Sequence, residues 1–181
     1  MSDSLITNIF KNQNTFVPIW FLRQAGRHIP EYFQIRKEEE DFVNFCLNEN
    51  LIIRSTTLPL KYYDVDAAII FSDILMIPWA MDRNVKFTKD FGPSMNPMIP
   101  DETKILQNIS LCSKLEPLNN SIRYLRDKLP KSLSLIGFAG APWTLACYMI
   151  EGKGSKDFIN TRKALWSSNK WFMKLIEILT T

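Results

Sequence analysis

The stretch Leu133–Thr144, LSLIGFAGAPWT, decides the fold class, because a short apolar run leads directly into a turn and the start of a helix. The run Leu133–Phe138 is nearly continuous rather than alternating, which is typical of a strand buried on both faces of a parallel sheet. Gly140 and Ala141 permit a tight turn, and Pro142 suits the first position of a helix. The stretch therefore predicts one strand–helix unit of an α/β protein.

Two similar apolar runs, Val17–Leu22 and Ala67–Phe71, precede this unit and are predicted to be strands. Helical patterns follow each run, and they cover Pro30–Leu47, Asn50–Tyr63 with an interruption at Pro59, a segment opening at Pro100, Asn120–Leu129, Pro142–Gly152 and Lys156–Leu179. Residues 77–100 are expected to form a long loop that contains a short strand at 85–88. Strands alternating with helices indicate crossover connections and an α/β fold.

Three strand–helix units cannot close a sheet into a barrel, because a (β/α)8 barrel takes about 250 residues. The chain has 181 residues, and its last helical segment carries an apolar stripe with no assigned partner. We therefore expect residues 1–181 to form a single incomplete domain, either a fragment or half of an assembly.

Composition excludes several classes of function. The net charge of +3 is too small for a strong nucleic-acid footprint, and no apolar run is long enough to span a membrane. Three scattered cysteines and one histidine give no zinc-binding pattern, and they fit a reducing compartment. No signal peptide pattern opens the chain, so a cytoplasmic location is expected. The acidic run 38–41 is interpreted as a solvated helix face.

Polar clusters follow the predicted strands, at the edge where ligands bind in parallel α/β proteins. Arg23 and Arg27 flank Gly26, which is expected to allow close ligand approach or a positive φ. Two guanidinium groups so placed favour an anion site, and Arg36 could add a third cation. The alternative is that these arginines pair with local acids such as Glu31.

For Asp73 and Tyr148 the sequence leaves two interpretations open. Asp73 directly follows the second strand, where it could hold a positive charge or accept ligand N–H groups, or else cap the next helix. Tyr148 is a core tyrosine by default, although its buried hydroxyl would need a polar partner. His28 is expected to be a surface or hydrogen-bonding residue, and Asp66, at the opposite end of its strand, a structural one.

The blocks Pro18–Tyr32, Asp64–Leu75 and Gly137–Leu145, the last followed by Tyr148 and by Glu151–Gly152, closely resemble the signatures of uroporphyrinogen decarboxylases. They occur in the family's order and cover most of residues 15–155. The resemblance implies the N-terminal portion of a (β/α)8 TIM barrel with extra helices, an α/β fold. It also implies a homodimer that needs neither a metal nor an organic cofactor.

The activity that the resemblance implies is decarboxylation of the four acetate side chains of uroporphyrinogen III, giving coproporphyrinogen III in haem biosynthesis. Asp73 and Arg23 would be catalytic, with Asp73 stabilising a cationic pyrrole intermediate. The substrate-binding residues would be Arg23, Gln24, Ala25, Gly26, Arg27, Arg36, Asp73 and Tyr148. An arginine has been assigned as proton donor in this family, but it is a very weak acid. The proton donor is therefore left open.

The family continues for about as many residues again, and that part supplies a serine and a histidine to the cleft that are absent here. Two alternatives therefore stay open. One is a corrinoid methyltransferase of the same superfamily, whose zinc site would lie late in the chain, although the arginine loop argues against it. The other is a non-catalytic half-barrel from a split or truncated gene, which would need a partner chain.

Overall fold

The computed structural model describes residues 4–13, 16–88, 92–100, 111–167 and 170–180. The contacts divide the chain into two compact units. The first unit contains Met1–Ser72 and Glu116–Phe138, and the second contains Asp73–Leu115 and Ala139–Thr181. A single domain over 1–181 stays a prediction, and each unit is described separately.

The elements of the first unit are, in chain order, helices α1 (Leu5–Phe10), α2 (Pro30–Lys37), α3 (Phe42–Cys46) and α4 (Glu49–Thr57), a 3-10 helix (Leu58–Lys61), strand β1 (Ala67–Ile69), helix α7 (Glu116–Lys128) and strand β4 (Ser134–Ile136). The elements of the second unit are helix α5 (Met76–Ala80), strands β2 (Lys86–Thr88) and β3 (Gly92–Ser94), and helices α6 (Leu111–Lys114), α8 (Pro142–Glu151), α9 (Ile159–Trp166) and α10 (Lys170–Thr180).

Strands β1 and β4 pair in parallel, with Ala67 opposite Ser134 and Ile69 opposite Ile136. This confirms the second and third predicted strands and the crossover between them. Helix α7 lies in that crossover and packs against α4. Residues of β1 are largely buried, whereas all three residues of β4 are only half-buried. Burial of β4 on both faces was therefore a wrong expectation, since β1 is its one paired neighbour in the described part of the chain.

The predicted first strand, 17–22, is not a strand. Its residues are irregular and exposed, with Val17 86% and Leu22 78% exposed. Its apolar side chains are suited to burial, but they are buried only if another element packs against them. Among the described residues, its backbone is held mainly at Ile19, whose carbonyl accepts the Asp66 N–H at 2.8 Å. Asp66 thus has the structural role expected of it.

The predicted helix over 30–47 is divided into α2 and α3 by the acidic run 38–41. Asp41 ends the break as the N-cap of α3, where its carboxylate accepts the Asn44 N–H at 2.8 Å. Glu38 accepts two hydrogen bonds from Arg54 of α4, at 2.6 and 2.7 Å. The acidic run is therefore a connection between helices and not the solvated face of one helix.

Proline and glycine positions set several other element ends. The predicted helix 50–63 is interrupted near Pro59, as expected: α4 ends at Thr57, and Pro59 lies in the 3-10 helix that follows. Helix α8 runs from Pro142 to Glu151 and is capped by Gly152 at a φ of 76°, as its sequence predicts. Helix α7 begins at Glu116, four residues before the predicted start.

The second unit contains a small antiparallel pair, β2 and β3, and a group of helices around one apolar core. Strand β2 was predicted, but the expected loop around it also contains helix α5, whose core-facing Met76 and Pro78 are buried. The segment Lys156–Leu179 forms two helices, α9 and α10, and not one. Buried residues of this core include Leu145, Met149, Phe172 and Leu175. The predicted helix opening at Pro100 falls on residues 101–110, outside the described residues.

Candidate functional site

A cavity of about 200 Å³ lies in the first unit, at the carboxyl end of β1. Its walls are residues 22–25, the segment 69–72 that continues β1, and Phe138, which follows β4. The sequence predicted that the polar clusters after the three apolar runs meet at one edge. The structure brings residues 22–25 of the first cluster together with Phe71 and Ser72 of the second and with Phe138 of the third, although the first run is not a strand.

The strand end that forms one wall is fixed by helix α4. The backbone N–H of Phe71 donates to the Thr56 hydroxyl at 2.9 Å, and that hydroxyl donates to the carbonyl of Ile52 at 2.7 Å. The Phe71 ring packs on Tyr32 and Phe45, with ring centroids 5.8 and 5.3 Å away. This wall of the cavity is therefore supported by a packed aromatic cluster and by helix α4.

Arg23 lines the cavity, and Arg27 follows one short turn later. Both side chains are exposed, and neither forms a hydrogen bond or an ion pair with another residue that the structure describes. Glu31, the acid that the alternative reading would pair with them, instead accepts the Tyr62 hydroxyl. An unpaired guanidinium group in a cavity wall, with a second exposed one close by in sequence, is suited to binding carboxylates.

Gln24 lies between Arg23 and Arg27 in sequence, and it is 4% exposed. Its amide nitrogen donates to the Ala67 carbonyl at 2.7 Å, and its amide oxygen accepts the Ile69 N–H at 3.2 Å. Both ends of the amide are thus engaged by β1. Direct substrate binding by Gln24 stays a prediction, and the geometry gives its side chain a different task.

Arg36 is engaged within its own unit. Its guanidinium donates to the carbonyls of Glu39 and Glu40, the latter at 2.9 Å. The same group lies 5.3 Å from the ring centroids of Phe42 and Phe45. These contacts hold the α2–α3 connection together. A role for Arg36 as a third substrate cation therefore requires it to leave these partners, and it stays a prediction.

Gly26 does not adopt the positive φ that the sequence reading allowed, because among the described residues only Gly92 and Gly152 are glycines of that kind. A Cβ added to Gly26 would lie 3.6 Å from Nδ1 of His28, an ordinary contact. The remaining reason for this glycine is close approach of a ligand, which stays a prediction together with ligand contact by Ala25. His28 is exposed, with its ring 6.2 Å from that of Tyr63.

Asp73 directly follows Ser72 of the cavity wall in sequence, and it belongs to the second unit. One carboxylate oxygen accepts the Leu75 N–H at 2.8 Å. Burial raises the pKa of Asp73, and the Leu75 hydrogen bond opposes that rise. The N-cap of α5 is Leu75, so Asp73 is not the helix cap itself. A half-buried carboxylate with a single described donor retains capacity for further N–H groups.

Tyr148 lies on α8 and packs, half-buried, against the core of the second unit. The turn that leads into α8 is tight, as predicted for Gly140. A Cβ at Gly140 would lie 2.5 Å from Cδ2 of Leu145, so any larger residue disturbs the core there. The Tyr148 hydroxyl forms no hydrogen bond with the described residues, and its contact with a ligand stays a prediction.

Ser72 and Phe138 are among the residues of the cavity wall that were not predicted as site residues from the sequence. Ser72 is the polar residue next to Asp73, and Phe138 follows the third apolar run. The signal that could have identified both is position, since each lies just beyond a predicted parallel strand. Thr56, which supports Phe71, gave no such signal because its hydroxyl acts across a helix–strand contact.

The described residues contain no site suited to metal or thiol chemistry. No group of three or more His, Cys, Asp or Glu side chains gathers there in a way that could hold a metal ion. Cys46 and Cys147 are buried and form no disulfide within the described residues, and burial raises the pKa of Cys147. A search of the described helices finds none with the length and apolar character of a membrane span.

Comparisons with known proteins agree on a family. The family model described as uroporphyrinogen decarboxylase (URO-D) matches residues 1–181. The uroporphyrinogen decarboxylase of Rickettsia felis is 40% identical over 176 residues, which are 97% of this chain and 51% of that protein. The one from Brucella anthropi is 41% identical over 162 residues, 90% of this chain and 48% of that protein. The chain spans about half the length of these relatives.

A solved structure gives the fold. A methyltransferase from Methanosarcina mazei matches with a TM-score of 0.69 at 15% identity, over 99% of this chain and 53% of the other. Together with the family match, this confirms the predicted class, an α/β fold that is the N-terminal portion of a (β/α)8 barrel with extra helices.

Proposed function

Since the chain belongs to the uroporphyrinogen decarboxylase family, we propose that it serves decarboxylation of the acetate side chains of uroporphyrinogen III to give coproporphyrinogen III. In this proposal the loop with Arg23 and Arg27 is one wall of the substrate cleft. The reaction belongs to porphyrin biosynthesis in the cytoplasm, uses no metal or organic cofactor, and takes place in a homodimer.

The observation that carries the proposal is the unpaired guanidinium group of Arg23 in the cavity wall, with the exposed Arg27 close by in sequence. A porphyrinogen with eight carboxylates is strongly anionic, and arginine stays charged at every physiological pH. Arg23 lines the cavity and Arg27 is exposed close by in sequence, without an acid paired to either among the described residues. Their charges are therefore available to substrate carboxylates.

The chemistry needs an electron sink. Protonation of the pyrrole ring produces an iminium-like cation, and this cation accepts the electron pair of the bond that breaks when CO2 leaves. A second proton then converts the remaining exocyclic carbon into a methyl group, and the ring returns its proton. Asp73 is proposed to accept hydrogen bonds from pyrrole N–H groups and to stabilise the cation.

The burial of Asp73 supports this role. Burial removes water from the charged carboxylate and so raises its pKa. A positive charge or N–H donors near the carboxylate compensate for that lost hydration and stabilise the charged form. A cationic pyrrole supplies both. Tyr148 is proposed to donate a hydrogen bond to a substrate group, and Arg36 to join only if it exchanges its present partners for a carboxylate.

Binding is tested with uroporphyrin, the oxidised and fluorescent octacarboxylate, against the purified chain. Arg23→Met should weaken binding about tenfold or more, since charge-assisted hydrogen bonds to charged groups contribute roughly 1.5–3 kcal/mol each. The matched control is Arg123→Met on α7, where the exposed guanidinium contacts only Asn120 among the described residues, at 3.1 Å. Equal affinity of the two variants would refute the arginine wall.

Turnover is tested by measuring coproporphyrinogen formation with the purified chain and with the chain extended to the length of its relatives. Asp73→Asn in the active form should lower the rate by a factor of about a hundred or more, because it removes preorganised charge at the cation. Near-normal turnover of this variant would exclude that role. Binding without any product from the 181-residue chain would favour the alternative, a non-catalytic half-barrel that needs a partner.

A further inference from the structure

The two edges of β1 are engaged in different ways. On one edge, the Ile70 N–H donates to the Ile136 carbonyl, and the Ser134 N–H donates to the carbonyl of Asp66, both at 3.0 Å. The opposite edge presents the carbonyl of Ala67 and the N–H of Ile69. In a parallel sheet these two groups, two residues apart, are the ones that bond to the N–H and the C=O of a single residue of the neighbouring strand.

Gln24 occupies that place with its side chain. Its amide nitrogen donates to Ala67 and its amide oxygen accepts from Ile69, at 2.7 and 3.2 Å. The primary amide of glutamine has the same donor and acceptor as a backbone peptide group. The side chain of Gln24 therefore makes the two hydrogen bonds that the N–H and C=O of one residue of a neighbouring parallel strand would make.

We propose that Gln24 is a positioning residue: through this amide it fixes the Arg23 segment against β1 and so sets where the Arg23 guanidinium meets a carboxylate ligand. The proposal rests on the proposed function for the identity of that ligand. It assigns Gln24 an action through its neighbour and not contact with the substrate. The segment has a second anchor at Ile19, whose N–H donates to the Asp66 carboxylate at 2.7 Å.

Burial strengthens the contribution of the Gln24 amide to holding the segment. Gln24 is 4% exposed and Ala67 is fully buried, so water does not readily replace the lost hydrogen bonds. Removal of the amide leaves a buried carbonyl and an N–H group without partners, which is costlier than loss of an exposed hydrogen bond. The segment is otherwise exposed from Trp20 to Arg23, so little else restrains it.

The experiment compares Gln24→Met and Gln24→Glu with Gln34→Met and Gln34→Glu, which change an exposed glutamine of α2. Two quantities are measured: amide hydrogen exchange at Ile69 and at residues 22–25, and the dissociation constant for uroporphyrin. Gln24→Met should accelerate exchange at those amides and weaken binding roughly tenfold, as expected for loss of buried hydrogen bonds. Neither control should do so.

Gln24→Glu adds a test within one folded variant. An ionised carboxylate has no donor for the carbonyl of Ala67, whereas a protonated carboxyl group has one donor and one acceptor. Burial raises a carboxyl pKa, so the ratio of variant to unsubstituted affinity should recover as the pH falls from about 8 to about 5. Taking the ratio at each pH removes the titration of the porphyrin itself. A ratio that is low and constant over this range would contradict the proposal.

The outcomes separate the two proposals. If the unsubstituted chain does not bind uroporphyrin, the proposed function fails, and hydrogen exchange at 22–25 still decides whether Gln24 holds the segment. If the unsubstituted chain binds and Gln24→Met binds equally well, Gln24 is not a positioning residue and the arginine wall stands. Unchanged exchange at Ile69 in Gln24→Met would overturn the amide contact itself.

Discussion

At the scale of single residues, Asp73 combines burial with few partners. Its carboxylate accepts one hydrogen bond from the described residues, from the Leu75 N–H, and burial raises its pKa above the ordinary value of 3.8. The folded state therefore binds this proton more tightly than the unfolded state does. Stability contributed by the protonated form is lost as the pH rises from that ordinary value through the raised one.

Asp73→Asn should consequently make the chain more stable at neutral pH, because asparagine keeps an acceptor for Leu75 and carries no charge to desolvate. The advantage over the unsubstituted chain should shrink as the pH is lowered toward 4. Urea unfolding midpoints measured between pH 4 and 7 check this. Asp127→Asn, at a carboxylate that is largely exposed beside Lys128, is the control and should show little change. A less stable Asp73→Asn at pH 7 would contradict the prediction.

Residue type predicted the candidate site better than it predicted the partners of each residue. Arg23 and Arg27 flank a glycine after an apolar run, and neither has a hydrogen-bond or ion-pair partner among the described residues, as an anion site requires. Arg36 looked equivalent in sequence, but its guanidinium is engaged by two carbonyls and two aromatic rings. Such contacts depend on where α3 turns back, and the local sequence does not state that.

At the scale of elements, the turn from β4 into α8 depends on Gly140. A Cβ there would lie 2.5 and 2.9 Å from Cδ2 and Cγ of Leu145, which is itself buried and cannot move freely. Gly140→Ala should destabilise the chain by about 1–3 kcal/mol, the usual cost of overpacking. Gly137 is the matched control, since a Cβ there meets nothing within 4 Å.

Thermal or urea unfolding of Gly140→Ala and Gly137→Ala measures the difference. Gly137→Ala should stay within roughly 0.5 kcal/mol of the unsubstituted chain, as surface changes do. Adding Leu145→Ala to Gly140→Ala should cost less than the sum of the two single changes, because the smaller side chain gives the new methyl group room. Strict additivity would show that the clash does not limit stability.

Helix ends that are marked by proline or glycine were predicted well. Helix α8 has proline at its start and glycine after its end, and Pro59 marks the change from α4 to the 3-10 helix. The break between α2 and α3 was missed, because a run of four acids fits an exposed helix face as well as it fits a connection. The break depends on two contacts that the local pattern does not predict: Glu38 accepts a hydrogen bond from the Arg54 guanidinium, and Asp41 accepts one from the Asn44 N–H.

At the scale of the whole molecule, the alternation of strands and helices predicts the fold class, because β1 and β4 are apolar, short and separated by helices. The segment 16–22 shows the limit of that reasoning, since it has the composition of a buried strand and is exposed. Composition states what a segment favours, whereas burial also requires a neighbour to cover it.

The exposed run should make the chain prone to self-association, since contiguous apolar surface beside unpaired backbone promotes it. Replacing Phe16 and Val17, both more than 70% exposed, by serine and threonine should raise the concentration at which aggregates form. Light scattering against concentration measures this. Ile159→Thr, a single exposed side chain on α9, is the control and should change little. Equal behaviour of both variants would rule out this run as the cause.

The parallel register of β1 and β4 also has a consequence during synthesis on the ribosome. Ala67 finds its partner only when Ser134 has been made and has left the exit tunnel. At ordinary translation rates this interval is on the order of several seconds. Throughout it, the Gln24 amide can already occupy the opposite edge of the strand, because residue 24 emerges first. The nascent chain thus has a local contact that can order β1 well before its sheet exists.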